Sequence, residues 1–185
     1  LEIHAACLSS QALVTNLPPV ADPGPDQTVR GLGAIRLDGG RSKDPEGTPL
    51  SYVWRVSGLP DGSAYLSSGV DGTTLADVSG FVSKLYSENA AAGPEAFSFV
   101  PGDILLFQNV KATLVTTGVD GDGAFFEVSE SVLPASLSDQ GYQIIRQDGL
   151  QDPEQQVATY IPDVVGVHLF DLQVTDAEVS SPWSS

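Results

Sequence analysis

Proline and glycine recur along this sequence and restrict it to short elements of secondary structure. The 185 residues include 19 Gly and 13 Pro, which favour tight turns and interrupt helices. Hydrophobic residues still make up 41% of the chain, enough to form a buried core. This composition favours many short strands joined by turns and disfavours a helical bundle. A chain of this length forms one large domain, or one domain that carries a second inside it.

The charge of the chain excludes two classes of partner. The sequence has 24 acidic and 8 basic residues, a formal net charge of −16. Phosphate-rich partners would be repelled across the whole surface. We therefore expect no binding to nucleic acid or to an anionic membrane surface. Membrane insertion is not expected either, because no apolar run approaches the length of a membrane-spanning helix.

Two segments that are far apart in the sequence show the alternation of half-buried strands. Residues 50–56 alternate around Trp54, which we expect in the core. In residues 166–176, His168 and Phe170 belong to one face, and Val167 and Leu169 belong to the other. The two segments are therefore predicted to be strands of one β-structure.

The two segments belong to a pattern that resembles a known domain. Residues 18–29 (PPVADPGPDQTV) and 37–54 (LDGGRSKDPEGTPLSYVW) resemble the opening half of a PKD domain, an immunoglobulin-like β-sandwich. Residues 158–166 (ATYIPDVVG) and 172–176 (LQVTD) resemble its closing half. His168 stands where the family usually has Tyr. The resemblance implies a sandwich of two antiparallel sheets.

A long stretch separates the two halves, whereas a few turns and strands separate them in the family. Residues 70–155 are therefore predicted to be an inserted domain, with its ends close together at one edge of the sandwich. The sandwich itself would be discontinuous, formed by residues 16–69 and 156–180. Residues 1–15 are predicted to be an extended arm, and residues 181–185 a C-terminal tail.

The inserted domain is predicted to contain one helix followed by strands. Thr74 would cap the helix and Gly93-Pro94 would end it. Its apolar face would consist of Leu75, Val78, Val82, Leu85 and Tyr86. Residues 120–123 (DGDG) predict a hairpin turn. Residues 101–105, 128–138 and 142–146 resemble small β-barrel modules of tailed-phage structural proteins. The predicted fold class is mainly β, an immunoglobulin-like sandwich with an inserted small β-rich domain that carries one helix.

Few residues have the types and spacing that catalysis requires. The chain has two histidines and one cysteine. His4 and Cys7 lie in the predicted arm, and His168 occupies an inward strand position where a core histidine is expected. The sequence contains no nucleophile elbow, phosphate-binding loop or zinc-protease motif. We therefore expect no catalytic residues and no enzymatic activity.

Carboxylates are the remaining candidates for binding a ligand. Some PKD-like sandwiches bind calcium near the positions that correspond to Asp38 and Asp44, so the resemblance makes these two residues candidate calcium ligands. No other cofactor is expected. The densest acidic group is expected to form the solvated tip and rim of a hairpin: Asp120, Asp122, Glu127 and Glu130.

An apolar partner surface is the more informative prediction. Val53, Val167 and Leu169 would face solvent on an isolated sandwich. Either the inserted domain folds back over them, which we favour, or they contact a neighbouring subunit. The apolar arm is expected to add a strand to an exposed edge of a neighbour. The predicted interface residues are Leu1, Ile3, Leu8, Leu13, Val14, Val53, Val167 and Leu169.

These features predict a non-catalytic structural or binding module on the outside of a particle. The resemblance of the insertion favours a tailed-phage virion protein, either a capsid decoration or a tail component. Its partners would be capsid or tail subunits or copies of itself, and its location the virion surface or the extracellular space. The alternative is a carbohydrate-binding or adhesion module of a bacterial extracellular protein, which would bind cell-surface glycan. Candidate sugar-stacking residues are Tyr65, Tyr86, Tyr142 and Trp183. The sequence begins at Leu1 and contains no Met, as expected of a processed chain, a piece of a longer one, or an incomplete reading of one.

Overall fold

Most of the chain outside its first 15 residues is described by a computed structural model. The described residues are 16–68, 73–75, 84–87, 100–107, 110–120, 123–129 and 142–185. This part of the chain is mainly β, as predicted, and helices are absent from it. In these residues no helix has the length and apolar character needed to cross a lipid bilayer.

The strands are numbered in chain order. They are β1 Ile35–Asp38, β2 Ser51–Gly58, β3 Leu66–Ser68, β4 Thr73–Leu75, β5 Lys84–Ser87, β6 Ile104–Phe107, β7 Val110–Asp120, β8 Gly123–Val128, β9 Gln143–Ile145, β10 Leu150–Gln151, β11 Val157–Tyr160 and β12 Leu169–Thr175. They form three sheets with the orders β1-β11-β10, β12-β2 and β3-β9-β6-β7-β8-β5-β4. Neighbouring strands within each sheet are antiparallel.

The two strands predicted from alternation pair with each other. Strand β2 lies antiparallel to β12, with Trp54 opposite Leu172. Trp54 is 2% exposed, which confirms its predicted place in the core. It packs in a cluster with Leu37 and Ala158 of the β1-β11-β10 sheet and with Leu172 and Val174 of β12. Apolar side chains from the two smaller sheets therefore share one core.

Turn chemistry fixes the chain between β1 and β2. A turn forms at residues 44–47, with the Gly47 N–H donating to the Asp44 carbonyl oxygen. Gly47 has a φ of 80°, a conformation that glycine adopts without the steric cost of a side chain. The Asp44 carboxylate also accepts from the backbone N–H groups of Glu46 and Thr48, at 3.0 and 2.7 Å. These bonds hold the turn that leads into β2.

The largest sheet draws all its strands from residues 66–145, between the strands of the two smaller sheets. One face packs around Leu105, Leu114, Phe126 and Ile144. A further buried cluster contains Val56 of β2, Ile104 of β6, Ile145 of β9 and Tyr160 of β11. Because these residues come from all three sheets, the core is continuous between them. The division into a discontinuous sandwich and an inserted domain stays a prediction.

Gln147 joins the largest sheet to β2 through hydrogen bonds. Its side-chain Oε1 accepts from the Val56 N–H at 2.7 Å, and its Nε2 donates to the Val56 carbonyl oxygen at 3.1 Å. The Gln147 N–H in turn donates to Oδ1 of Asp103 at 3.2 Å. Asp103 is fully buried, and its burial raises its pKa despite the N–H donors of Val100 and Gln147. One amide side chain thus supplies the bonds that a neighbouring strand would supply.

The predicted helix is wrong at the positions that the structure describes. Thr73–Leu75 and Lys84–Ser87 form strands β4 and β5, which pair with each other. Strand β5 also pairs with β8, so its backbone has partners on both sides. Threonine and tyrosine favour strands, and this pairing outweighs the helical spacing of the apolar residues. Val78 and Val82 lie outside the described residues.

The predicted hairpin at residues 120–123 is confirmed, because Asp120 pairs with Gly123 between β7 and β8. Asp122 and Glu130, two members of the acidic group, lie outside the described residues. The segment predicted as a tail runs along β12, where Ser180 pairs with Thr175 and Ser184 pairs with Leu172.

Candidate protein-binding surface

The apolar residues predicted to need a cover are exposed. Val53, Leu169 and Val167 are 41%, 50% and 73% exposed. The expectation that the inserted residues fold over these three side chains was therefore wrong. Strand β7 instead reaches the same outer face of β2 and β12 at its polar positions, where Lys111 contacts Asp171.

The outer face of β2 and β12 contains a buried ionic network centred on Asp171. This carboxylate is 2% exposed. Its Oδ2 accepts from Arg55 Nε at 3.1 Å and lies 3.2 Å from Lys111 Nζ, while its Oδ1 accepts from Ser57 Oγ at 2.7 Å and Ser185 Oγ at 2.5 Å. Its partners come from strands in two different sheets and from the C-terminal residue.

The electrostatics of this network favour the charged form of Asp171. Burial acts to raise the pKa of Asp171, but hydrogen bonds from Ser185 and Ser57 and the charges of Lys111 and Arg55 outweigh it and lower the pKa. The Arg55 guanidinium also lies 3.9 Å from the centre of the Trp183 ring, a favourable cation–π arrangement. The network thus connects β2, β7 and Ser185 to Asp171 on the outer face of β12.

An open groove of about 680 Å³ lies beside this network. One wall is formed by the proline-rich residues 23–31 and the other by residues 162–169. Ile35, Leu37 and Phe170 are among its apolar lining residues. The predicted interface residues Val167 and Leu169 belong to the second wall. The groove therefore continues the exposed apolar surface into a concave site.

The edge of β12 runs into this groove. The N–H and C=O of Leu172 both bond Ser184, and the C=O of Val174 accepts from Ser181. Phe170 is the next residue whose backbone groups face this edge, because alternate residues of a strand point their N–H and C=O the same way. Within the described part of the chain, no hydrogen bond reaches these two groups of Phe170 on that side. Residues 180–184 therefore pair along the edge of β12 as far as Leu172, next to the groove.

The opposite wall covers the edge of β1. Gln27 Nε2 donates to the Arg36 carbonyl oxygen at 2.8 Å, while Pro23 and Pro25 have no N–H to offer a strand. Residues 21–29 form no strand, and Val20, just before them, makes an isolated pair with Lys43. Side-chain bonding thus replaces strand pairing at this edge.

The two candidate calcium ligands have separate surroundings. Asp38 is paired with Arg36 at 2.6 Å and accepts from the Gly40 N–H; the Gly40 and Arg36 bonds lower the pKa of Asp38. Asp44 caps its own turn through Oδ1, and its buried Oδ2 has no hydrogen-bond partner in the described part of the chain. Where the structure describes side chains, no three acidic, histidine or cysteine residues are grouped as metal ligands. Calcium binding stays a prediction.

His168 lies just before β12, and both of its ring nitrogens have hydrogen-bonding partners. Its Nδ1 lies 3.1 Å from the Tyr160 hydroxyl, and its Nε2 lies 3.0 Å from the Val164 carbonyl oxygen. The nearby Ser63 hydroxyl donates to Asp163 at 2.9 Å. A hydrolase would instead need the serine to bond the histidine. These residues therefore hold the corner before β12. The spacing of polar residues in the sequence does not predict the contact of His168 with Tyr160. His4 and Cys7 lie outside the described residues.

The aromatic residues considered for sugar stacking do not form a row among those whose side chains are described. Tyr142 is 4% exposed and packs edge-on against Phe126, with ring centres 5.5 Å apart. The ring of Trp183 is covered by the guanidinium group of Arg55. A platform for a glycan needs several exposed rings in register, which these two positions do not provide.

Comparisons with known proteins identify no relative. No family model matches the chain, and no match is found among curated proteins or solved structures. The geometry described above therefore provides the basis for a functional proposal.

Proposed function

We propose that this chain is a non-catalytic structural module on the outside of a tailed-phage virion, held there by protein–protein contacts. The observation that carries the proposal is the apolar surface formed by Val165, Val167 and Leu169, which are 68%, 73% and 50% exposed. Contiguous exposed apolar residues beside a groove are typical of sites that bind another protein. The assignment to a virion rests on the resemblance of residues 101–105, 128–138 and 142–146 to phage β-barrel modules.

The polar residues of the described chain support a structural role. The carboxylate with the most ionic contacts, Asp171, is closed in by Arg55, Lys111 and two hydroxyl groups. His168 has partners for both ring nitrogens. Catalysis requires groups that reach a substrate, whereas these groups bind one another inside the protein. Interface burial is the mechanism that remains for an exposed apolar surface.

The net charge fits a place at the outside of an assembly. Residues 70–155 contain 13 of the 24 acidic residues and 3 of the 8 basic residues. Like charges on neighbouring molecules repel each other, so we place this acidic part away from the contact. The less acidic part, which contains the groove, would face the partner.

Self-association provides the test. We expect the full chain to form oligomers in sedimentation velocity at neutral pH, and deletion of residues 1–15 to yield a folded monomer. Val167→Asp, which puts a charge into the apolar surface, should weaken association by about 2 kcal/mol, or roughly thirtyfold. Val115→Asp is the matched control, because Val115 is 46% exposed on β7 and does not line the groove.

A glycan array separates this proposal from an adhesion function. The virion protein should bind no glycan, whereas selective binding together with a strictly monomeric chain would contradict the proposal and favour adhesion. Equal association of Val167→Asp and Val115→Asp would show that the apolar surface is not the contact.

A further inference from the structure

The loop between β11 and β12 is closed by one side chain. Residues 161–168 form no strand, and Val165 and Val167 at the tip of the loop are 68% and 73% exposed. Among the described residues, the backbone of residues 164–167 makes a single hydrogen bond, in which the Val164 carbonyl oxygen lies 3.0 Å from Nε2 of His168. This bond therefore closes the loop beneath its exposed tip.

The second ring nitrogen of His168 joins the loop to the core. Nδ1 lies 3.1 Å from the hydroxyl oxygen of Tyr160, a residue that is fully buried. The Tyr160 ring packs in the cluster shared by the three sheets and meets Phe170 edge-on, with ring centres 4.9 Å apart. Gly149 lies against the same ring, where a Cβ atom would come within 2.7 Å of it. Tyr160 is therefore the fixed partner and His168 the movable one.

The two partners of His168 determine where its imidazole carries the proton. A carbonyl oxygen only accepts hydrogen bonds, so Nε2 bears the hydrogen that is donated to Val164. In the neutral ring Nδ1 is then an acceptor, and the Tyr160 hydroxyl donates to it. Burial raises the pKa of Tyr160, so the hydroxyl group keeps this proton. The neutral form of His168 therefore satisfies both partners.

A second proton on the imidazole breaks this arrangement. With hydrogens on both nitrogens, His168 can no longer accept from Tyr160, and the described part of the chain offers the Tyr160 hydroxyl no other hydrogen-bonding partner. A charged ring beside an unpaired buried hydroxyl group is costly, whereas the open groove that His168 lines can hydrate the charge. We therefore expect the protonated ring to turn away from Tyr160 and into the groove.

The charged groups around His168 favour uptake of this proton. Asp163 belongs to the same loop, and Asp26 lines the same groove as His168. Burial acts to raise the pKa of Asp163, but its hydrogen bonds and the nearby charge of His168 outweigh burial and lower the pKa, so Asp163 stays ionised at pH 5. Tyr65, which lies close to Tyr160, adds no charge, because tyrosine side chains are neutral below about pH 9.

We propose that His168 is a proton-controlled latch on the wall of the groove. Neutral His168 holds the loop of residues 164–167 to Tyr160, and its protonation releases the loop together with the exposed side chains of Val165 and Val167. Imidazole groups change charge between about pH 5 and 8, so mild acidification operates the latch. This inference concerns the loop within one molecule and goes beyond the proposed function.

Nuclear magnetic resonance of the full chain tests the latch. At pH 7.5 the imidazole nitrogens should show the tautomer with hydrogen on Nε2, and the amides of residues 165–167 should have order parameters of about 0.85. At pH 5.0 both nitrogens should carry hydrogen, and these order parameters should fall below about 0.6. The amide of Leu172, which donates to Ser184, should keep its order parameter at both pH values and is the internal control.

Two substitutions separate the latch from other effects of acidification. His168→Gln removes the titrating group, so the order parameters of the loop should no longer change with pH. Tyr160→Phe keeps the ring in the core but removes the hydroxyl group, so the loop should already have low order parameters at pH 7.5. Tyr65→Phe is the matched control, because it removes a hydroxyl group that does not bond His168, and it should keep the wild-type response.

Three outcomes would overturn the latch. The first is a set of loop order parameters that stay unchanged at pH 5.0, whether or not both nitrogens of His168 have gained hydrogen. The second is a pH response that persists in His168→Gln, which would assign the release to another titratable group. The third is a Tyr160→Phe loop that stays ordered at pH 7.5, which would show that the bond to Tyr160 does not hold it.

Discussion

At the scale of single residues, Asp171 is the side chain on which the stability of the fold depends most. It is a buried carboxylate that faces two cationic groups and two hydroxyl groups. Removing one partner from a buried ionic network leaves the opposite charge in a medium that solvates it poorly. The stability of the fold therefore depends on this side chain more than on any exposed ion pair.

Replacing Asp171 by Asn tests this dependence. Asp171→Asn keeps the shape of the side chain but leaves the charges of Arg55 and Lys111 without their carboxylate. We expect the free energy of unfolding to fall by about 3 kcal/mol, measured by urea denaturation at pH 7. The exposed pair of Arg36 and Asp38 serves as the control, since Arg36→Gln should leave the free energy of unfolding nearly unchanged.

The pH dependence of stability shows whether charge is the cause. The pKa of Asp171 is lower in the folded protein than in the unfolded chain. Its contribution is therefore fully present above the ordinary aspartate pKa and is lost as the pH falls through the lowered value. The difference between the wild type and Asp171→Asn should shrink on acidification from pH 5. A difference that stays constant would attribute the loss to packing alone.

At the scale of secondary-structure elements, Gln147 replaces a strand. Both backbone groups of Val56 are bonded by its side chain, so at Val56 one side chain takes the place of a neighbouring strand. Gln147→Glu keeps the length of the side chain but exchanges the Nε2 donor for a carboxylate oxygen next to the Val56 carbonyl. We expect the free energy of unfolding to fall by about 1 to 3 kcal/mol, measured by thermal or urea denaturation.

A second glutamine isolates this effect from the added negative charge. Gln151 lies in β10 and is exposed, so Gln151→Glu adds the same charge without breaking a backbone contact. Equal losses of stability in the two variants would show that overall charge, and not the bond to Val56, is responsible.

The strands could be predicted where one face alone is buried. The alternation around Trp54 identified β2, and the matching alternation around Leu172 identified β12, because each strand has one face in the core. The Asp-Gly turn at residues 120–123 identified the hairpin of β7 and β8. These signals come from residues close together in the sequence, so they can be recognised without knowledge of the fold.

The strand at residues 84–87 could not be predicted in the same way. Leu75 and Leu85 fit the spacing of a helix, but the pairing of β5 with both β4 and β8 decides the structure. The partner residues 124–127 lie about forty positions further along the chain, so their pairing with β5 does not affect the local periodicity of the sequence. The Asp171 network could not be predicted for the same reason, because Lys111 and Asp171 are brought together only by the fold.

At the scale of the whole molecule, the three sheets share a core. Val56, Ile104, Ile145 and Tyr160 form one buried cluster, and the ionic network links β7 to β12. A part that shares its core with the rest of the protein cannot unfold without exposing apolar surface in both. The predicted insertion is therefore coupled energetically to the smaller sheets.

This coupling predicts a single unfolding transition. Trp54 and Trp183 both lie outside residues 70–155, so tryptophan fluorescence reports on the smaller sheets, whereas far-ultraviolet circular dichroism reports on all strands. The two signals should give coincident midpoints, and the calorimetric and van't Hoff enthalpies should agree. Two separate transitions would show that the sheet of residues 66–145 unfolds independently.

The bonds that Gln147 makes to β2 also bear on solubility. A strand edge with free N–H and C=O groups is a template for edge-to-edge aggregation. On the side of β2 away from β12, the Val56 groups are occupied by Gln147, and the Trp54 N–H donates to the Pro153 carbonyl oxygen. These three groups are therefore not available to a second molecule, so we expect edge-to-edge association at Trp54 and Val56 to be disfavoured.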